Sequence, residues 1–504
     1  MSGTNAPLES EVPARVAQYN MLLCVQRWRK ISLATPQLWT GINLQDLTQD
    51  GLFTVSRTAL LNLLDLWINR SKSCPISIKF SYTDLSENDR GRMVLFLPEH
   101  NGDSTYLKDV NALIDKLLSC QQRWRALSMI VLDLSSVERL LQAISNCPAS
   151  PLLEHLSIST QYLGIFGEIR TYNLALSSQL RTIRILSPLI VPESNGIRLD
   201  LLTELELKFC SSMVGCLQWL DKAPNLETLK IRFFTADVEQ LENETRIRRL
   251  EKLTNLQVSS FSSDSDPAAF INLLEFPSLT ELFVDMNDLI DAENWTCVLD
   301  LLKRSHPPAF HAMTLLGTPM TTEQILECLR MTPKLTCFRL GTITDEILQA
   351  LSTSTPKQPK SKSEAPLLPL LEALEVEDVE NCSFASLVNF VSSRCKDKRL
   401  PTEESGSVID NSKNEDTSKQ MPQPLPQSND NSNGPYKTLE IMVIPFDSDY
   451  AFISHPDVIE CVEKGLDVVH RSPAFEVLPP SRVAMHLRNI GVNGPDQEGV
   501  ATTD

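Results

Sequence analysis

Thr321–Leu340 reads TTEQILECLRMTPKLTCFRL and holds one complete structural unit. Thr321 followed three residues later by Gln324 predicts a capping box, in which each side chain bonds the other residue's backbone N–H at a helix start. Ile325, Leu326 and Leu329 then share one helix face. Pro333 ends the helix, and LTCFRL alternates apolar and polar side chains with the period of a half-buried strand.

The strand half of this unit recurs along the chain as Φ-x-x-Φ-x-Φ, where Φ is apolar. Copies begin at Leu153 (LEHLSI), Leu180 (LRTIRI), Leu202 (LTELEL), Leu226 (LETLKI), Leu253 (LTNLQV), Leu279 (LTELFV), Leu335 and Leu371 (LEALEV), with a weaker one at Phe310 (FHAMTL). Most successive starts lie close to the spacing of leucine-rich repeats. Ala223-Pro224, Phe276-Pro277 and Leu368-Pro369 repeat the bend that Pro333 makes. Each unit has a strand edge and a helix face that it cannot bury alone, and stacking buries both. The expected fold is therefore α/β, an irregular leucine-rich-repeat-like solenoid of parallel strands plus helices, with a partial helical segment before it.

Two stretches interrupt the array. Residues 352–366 (STSTPKQPKSKSEAP) and 401–434 are polar and aperiodic, which predicts a mobile loop and a disordered linker. The expected organisation is a helical segment over 1–48, an entry section over 49–150, the repeats over 151–400, the linker, a C-terminal strand and capping helix over 435–492, and a disordered tail over 493–504. The strand is expected at Tyr436–Val443 and the helix at Pro456–Val469. In the entry section, Ser56–Arg70 and Asp109–Trp124 read as helices, with strands at IKFSY and Ala126–Leu132.

The chain of 504 residues carries a net charge of −18. That argues against a general binder of nucleic acid or anionic membranes, which needs a basic face. LLNLLDLWI (Leu60–Ile68), among the longest apolar runs, is broken by Asn62 and Asp65 and is too short to span a bilayer. No secretory signal is visible, so the expected location is cytoplasmic or nuclear, not secreted. The 12 cysteines form no CxxC pair and no zinc spacing, and read as reduced thiols in small apolar sites.

The sequence carries no GxxxxGK(S/T) phosphate-binding loop, no GxGxxG after a strand, no HExxH and no GxSxG elbow. His306 and His311 sit in HPPAFH, where two prolines prevent the one-face helix that a metal pair needs. Glu375, Glu377, Asp378 and Glu380 read as a solvated acidic face. The expectation is a non-enzyme with no catalytic residue, metal or cofactor.

Met21–Leu44 differs from the repeats. Met21, Leu22, Val25 and Trp28 recur at helical spacing, Thr35-Pro36 breaks the helix, and Leu38-Trp39 follows. An RWR triplet with TPxLW behind it resembles the second half of the F-box in proteins of mushroom-forming fungi. The blocks LLDLWINRSKSCPISIKF (Leu63–Phe80) and LLSCQQRWRALSMIVL (Leu117–Leu132) follow in the same order as in that family, and FVSSRC (Phe390–Cys395) and VEKGLDVV (Val462–Val469) also look similar. The family module opens with an LPxE-type segment and a helix that the residues before Met21 do not reproduce, so the resemblance is to an N-terminally truncated F-box.

The resemblance implies a substrate-recognition subunit of a cullin-RING ubiquitin ligase, with a Skp-type adaptor and a cullin as partners and a protein target on the repeats. Leu22, Val25, Trp28, Ile31 and Trp39 would then meet the adaptor. The alternative is a leucine-rich-repeat scaffold with a decayed F-box, in which Val25, Trp28, Ile31 and Trp39 only seal the first turn of the solenoid. Strand alternation places Arg184, Glu206, Lys208, Lys230, Arg232, Glu281, Phe283, Asp285, Arg339 and Glu375 on the sheet face away from the core. That face is the expected target surface, with Phe283 as its exposed anchor.

Overall fold

The computed structural model describes residues 25–44, 57–82, 105–131, 134–146, 152–160, 170–174, 177–186, 190–194, 198–210, 212–233, 241, 244–260, 266–286, 295–352, 367–379, 381–395, 438–445 and 452–471. The chain forms two compact units, Met1–Leu253 and Thr254–Asp504. The expected linker 401–434, the tail 493–504 and all of the 352–366 loop beyond Ser352 lie outside the described residues.

In the first unit the strands Gly41–Asn43, Ile76–Tyr82, Trp124–Val131, His155–Thr160, Thr182–Leu186, Glu204–Cys210 and Thr228–Phe233 pair side by side in chain order, all parallel. A separate two-stranded sheet pairs Arg170–Leu174 with Ile190–Ser194. The boundaries expected at 48 and 150 fall between strands that belong to one sheet. The entry helix expected over Asp109–Trp124 runs instead over Thr105–Leu118, and Trp124 already opens the next strand.

In the second unit Asn255–Ser260, Glu281–Asp285, Ala312–Leu316, Cys337–Thr342, Ala373–Asp378, Ile441–Pro445 and Asp467–Arg471 pair in the same manner. All nine Φ-x-x-Φ-x-Φ copies are strands, the weak copy at Phe310 included. Their register is strict. Leu156, Ile183, Leu205 and Leu229 stand opposite one another, as do Leu256, Leu282, Met313, Phe338 and Leu374. These side chains are buried and form the core with the buried faces of the helices.

In four of the copies the opening leucine closes a proline-containing turn. Leu226 N–H bonds the Ala223 carbonyl, Leu279 the Phe276 carbonyl, Leu335 the Thr332 carbonyl and Leu371 the Leu368 carbonyl. In each of these the second turn residue is proline, whose fixed φ suits that position. The capping box at Thr321 and Gln324 forms as the sequence predicts, at 2.9 and 3.3 Å.

The last helix differs from expectation. It spans Pro456–Glu463 rather than continuing to Val469. Gly465 takes φ 100°, Leu466 N–H bonds the Cys461 carbonyl, and Gly465 N–H bonds the Val462 carbonyl. This is a Schellman stop, which needs glycine in a left-handed conformation. The chain leaves it as the Asp467–Arg471 strand, in register with Ile441–Pro445.

One buried arginine and two half-buried ones tie successive layers together. Arg394, in the last turn of the Phe384–Cys395 helix, donates to the carbonyls of Leu351 at 2.8 Å, Leu367 at 2.8 Å and Leu368 at 3.0 Å. Arg304, at the end of the Cys297–Ser305 helix, donates to Ile271 and Leu274. Arg123 donates to Ile68 and Cys74. Each arginine supplies donors to carbonyls of a preceding helix end or turn, adding to the bonds that Leu368, Ile68 and Ile271 also accept from nearby backbone or hydroxyl groups.

Candidate functional site

The opening segment carries one candidate surface. Residues 25–34 are helical and stop at Thr35, whose hydroxyl bonds the Ile31 carbonyl at 2.8 Å. Pro36–Trp39 then form one 3-10 turn. Trp39 indole N–H donates to the Ser32 carbonyl at 2.7 Å, capping the helix end. The Arg70 guanidinium stacks 4.4 Å from the Trp39 ring centre, which joins the segment to the Arg57–Arg70 helix. Gly41–Asn43 continues into the sheet, with Leu44 N–H bonded to the Lys79 carbonyl.

The predicted adaptor-facing residues therefore separate. Trp39 is a half-buried structural clamp. Val25 at 59%, Trp28 at 70% and Ile31 stay exposed, and Leu38 at 61% joins them. They do not seal the first turn of the sheet. Val25, Trp28 and Ile31 are three residues apart and share a helix face. Leu22 lies outside the described residues. Leu33 is also exposed and was not singled out from the sequence, because it lies off that spacing.

The second RWR triplet is a control within the same molecule. Trp124 opens a strand and is 1% exposed, Arg123 reaches the Ile68 and Cys74 carbonyls, and Arg125 pairs with Glu154 at 3.2 Å. The triplet at Arg27–Arg29 puts the same tryptophan in solvent. The motif alone does not decide exposure; the element carrying it does.

The sheet face opposite the core has different character in the two units. In the first, register places Asn43, Lys79, Ser128, Ser157, Arg184, Glu206 and Lys230 in one row across the strands. Lys79, Arg184 and Lys208 are exposed, and Glu206, Lys230 and Arg232 are half-buried. Arg184 bonds Glu204 at 2.9 Å and lies 3.7 Å from Glu206. Lys208 sits where the register slips between Leu207 and Cys210.

In the second unit the corresponding row is Gln257, Phe283, Thr314, Arg339, Glu375 and Val443. Here the expectation of an open face is corrected. Phe283 is 5% exposed and Arg339 1%, with Asp285, Thr314, Glu375 and Val443 also buried. Arg339 Nε lies 3.2 Å from Glu375, and its terminal nitrogen bonds Glu377 at 2.9 Å. A parallel sheet covered on both faces buries such rows, and strand alternation alone does not reveal the cover. Phe283 is thus a core residue and not an exposed anchor.

Glu281 remains half-buried at the start of its strand. Asn255 donates to it at 2.6 Å, and His311 lies 3.6 Å away. The bond to Glu281 holds the His311 imidazole above its ordinary pKa, against the opposing effect of burial. Burial, with Glu327 beside it, pushes the Cys328 thiol up to about 12, so it is not a thiolate nucleophile at neutral pH. Among the described residues no group of three or more His, Cys, Asp or Glu could hold a metal ion, and no helix is long and apolar enough to cross a membrane.

No protein-family model and no curated protein matches the chain. Among solved structures, the crystal structure of the Rad7 and Elc1 complex in yeast is similar over 75% of this chain and 95% of that one, at 13% identity and a TM-score of 0.31. A likeness that loose carries no role from that protein to this one.

Proposed function

We propose that the chain is a substrate receptor of a cullin-RING ubiquitin ligase, docking a Skp-type adaptor through Val25, Trp28, Ile31 and Leu38 and holding a protein target on the open sheet face of the first unit. The observation that carries this reading is the exposure of Trp28 and its neighbours on a helix that Trp39 fixes in place. Leaving this much apolar surface in water is unfavourable, and a partner that buries a tryptophan of about 200 Å² recovers it. The F-box resemblance of Leu22–Trp39 supplies the partner's class.

The role is positional. A receptor raises the effective concentration of a target lysine near the charged ubiquitin-conjugating enzyme and contributes no reacting group. Binding of purified Skp-type adaptor to the full chain, and to the Trp28→Ala variant, tests it. Tight binding that drops at least tenfold with Trp28→Ala supports the receptor. No binding by the wild-type chain refutes it and leaves the scaffold reading.

A further inference from the structure

The face that the first unit leaves open carries an excess of positive charge on an acidic protein. Lys79, Arg184, Lys208, Lys230 and Arg232 lie on it against Glu204 and Glu206. The two glutamates both pair with Arg184, at 2.8 and 3.7 Å. Among the described residues no carboxylate pairs with Lys79, Lys208 or Lys230. Between Lys79 and the other two lysines lie the small hydroxyl side chains Ser128, Ser157 and Thr182, with the His155 imidazole 3.2 Å from the Thr182 hydroxyl.

We infer that this face binds an extended acidic segment of a protein partner, laid across the strands between Lys79 and Lys230. The inference rests on the receptor reading above and adds the chemistry of the target. Lys79 and Lys230 stand five strand intervals apart, which at about 4.8 Å each is about 24 Å. An extended peptide covers that span with about seven residues. Charge complementarity selects the occupant. Three unpaired lysines on one face attract carboxylates, while the Glu204–Arg184–Glu206 cluster between them repels any continuous run of negative charge, so the segment that fits carries spaced acidic side chains and not an unbroken row of phosphates.

The test uses the full chain and fluorescence anisotropy. The probe is a fluorescein-labelled 14-residue peptide alternating aspartate with serine, compared with the same peptide carrying asparagine and with a single-stranded RNA of ten nucleotides. The Asp peptide is expected to bind at least tenfold tighter than the Asn peptide and to weaken as salt rises. Lys208→Glu with Lys230→Glu should reduce its affinity at least tenfold, and Lys252→Glu, away from this face, should leave it unchanged. The milder Lys208→Gln with Lys230→Gln should give a smaller loss in the same direction, with an unaltered melting curve. No binding of the Asp peptide by the wild-type chain, equal binding by the charge-reversed variant, or tighter binding of the RNA overturns the inference. Adaptor binding is scored separately. Adaptor binding without peptide binding sinks only this inference, and peptide binding without adaptor binding sinks only the receptor reading.

Discussion

Replacing Arg394 by methionine keeps the aliphatic stem and removes the three donors that hold the carbonyls of Leu351, Leu367 and Leu368. Leu368 takes φ 52°, a left-handed conformation unusual for leucine, and its carbonyl is one of the three. A hydrogen bond to a charged group contributes about 1.5 to 3 kcal/mol, and a buried acceptor left unsatisfied costs about 1 to 3. The three bonds share one side chain and are not additive, and Leu368 keeps its bond from Leu371 N–H, so the expected loss is about 2 to 4 kcal/mol for the second unit. Urea unfolding gives the size, and hydrogen exchange gives the place: Asp345–Leu351 and Phe384–Cys395 should lose protection together. Arg330→Met, which breaks an exposed pair with Glu323, is the control and should cost less than about 0.5 kcal/mol. An Arg394→Met chain within 0.5 kcal/mol of wild type, or loss of protection elsewhere, refutes the idea that arginines fasten the layers.

Phe283→Ala should destabilise the second unit by about 3 to 5 kcal/mol, measured by urea unfolding, because the ring is core. Trp39→Ala should cost about 1 to 2 kcal/mol through the lost helix cap and the stacking of Arg70, while Trp28→Ala leaves the midpoint unchanged. His311 titrates with a folded pKa above its unfolded value, so its stabilisation is fully present below the ordinary imidazole pKa and is lost as pH rises through the raised one. The side chain is 41% exposed, so the effect is under about 1 kcal/mol after screening. Unfolding midpoints at acidic and at mildly alkaline pH should show it, and His311→Gln should abolish it.

The repeat was legible because its apolar positions sit at fixed spacing and fill the core, from Leu156 and Ile158 through Leu374 and Val376. The capping box at Thr321 and the proline turns were legible for the same reason: their chemistry is local. The buried face of the second unit was misread because alternation reports only that a side chain points away from one core. A signal was present all the same. The row through Phe283, Thr314 and Val443 contains apolar residues, whereas the row through Lys79, Ser128, Ser157 and Arg184 contains none. The arginine clamps had no signature, since their partners are backbone carbonyls 26 to 55 residues away in sequence. In the opening segment, the F-box resemblance grouped Trp28 with Trp39, and the bond from Trp39 to Ser32 and the stacking of Arg70 separate the clamp from the exposed surface.

In the proposed function, the exposed face of helix 25–34 docks a ligase adaptor. The most direct measurement is titration of purified Skp-type adaptor into the full chain by calorimetry, followed by the same titration with Val25→Ala and Trp28→Ala together. A one-to-one complex with a negative heat-capacity change from apolar burial is expected, weakened at least tenfold in the double variant without a change in melting temperature. An adaptor that gives no heat of binding with the wild-type chain, or that binds the double variant equally well, contradicts it.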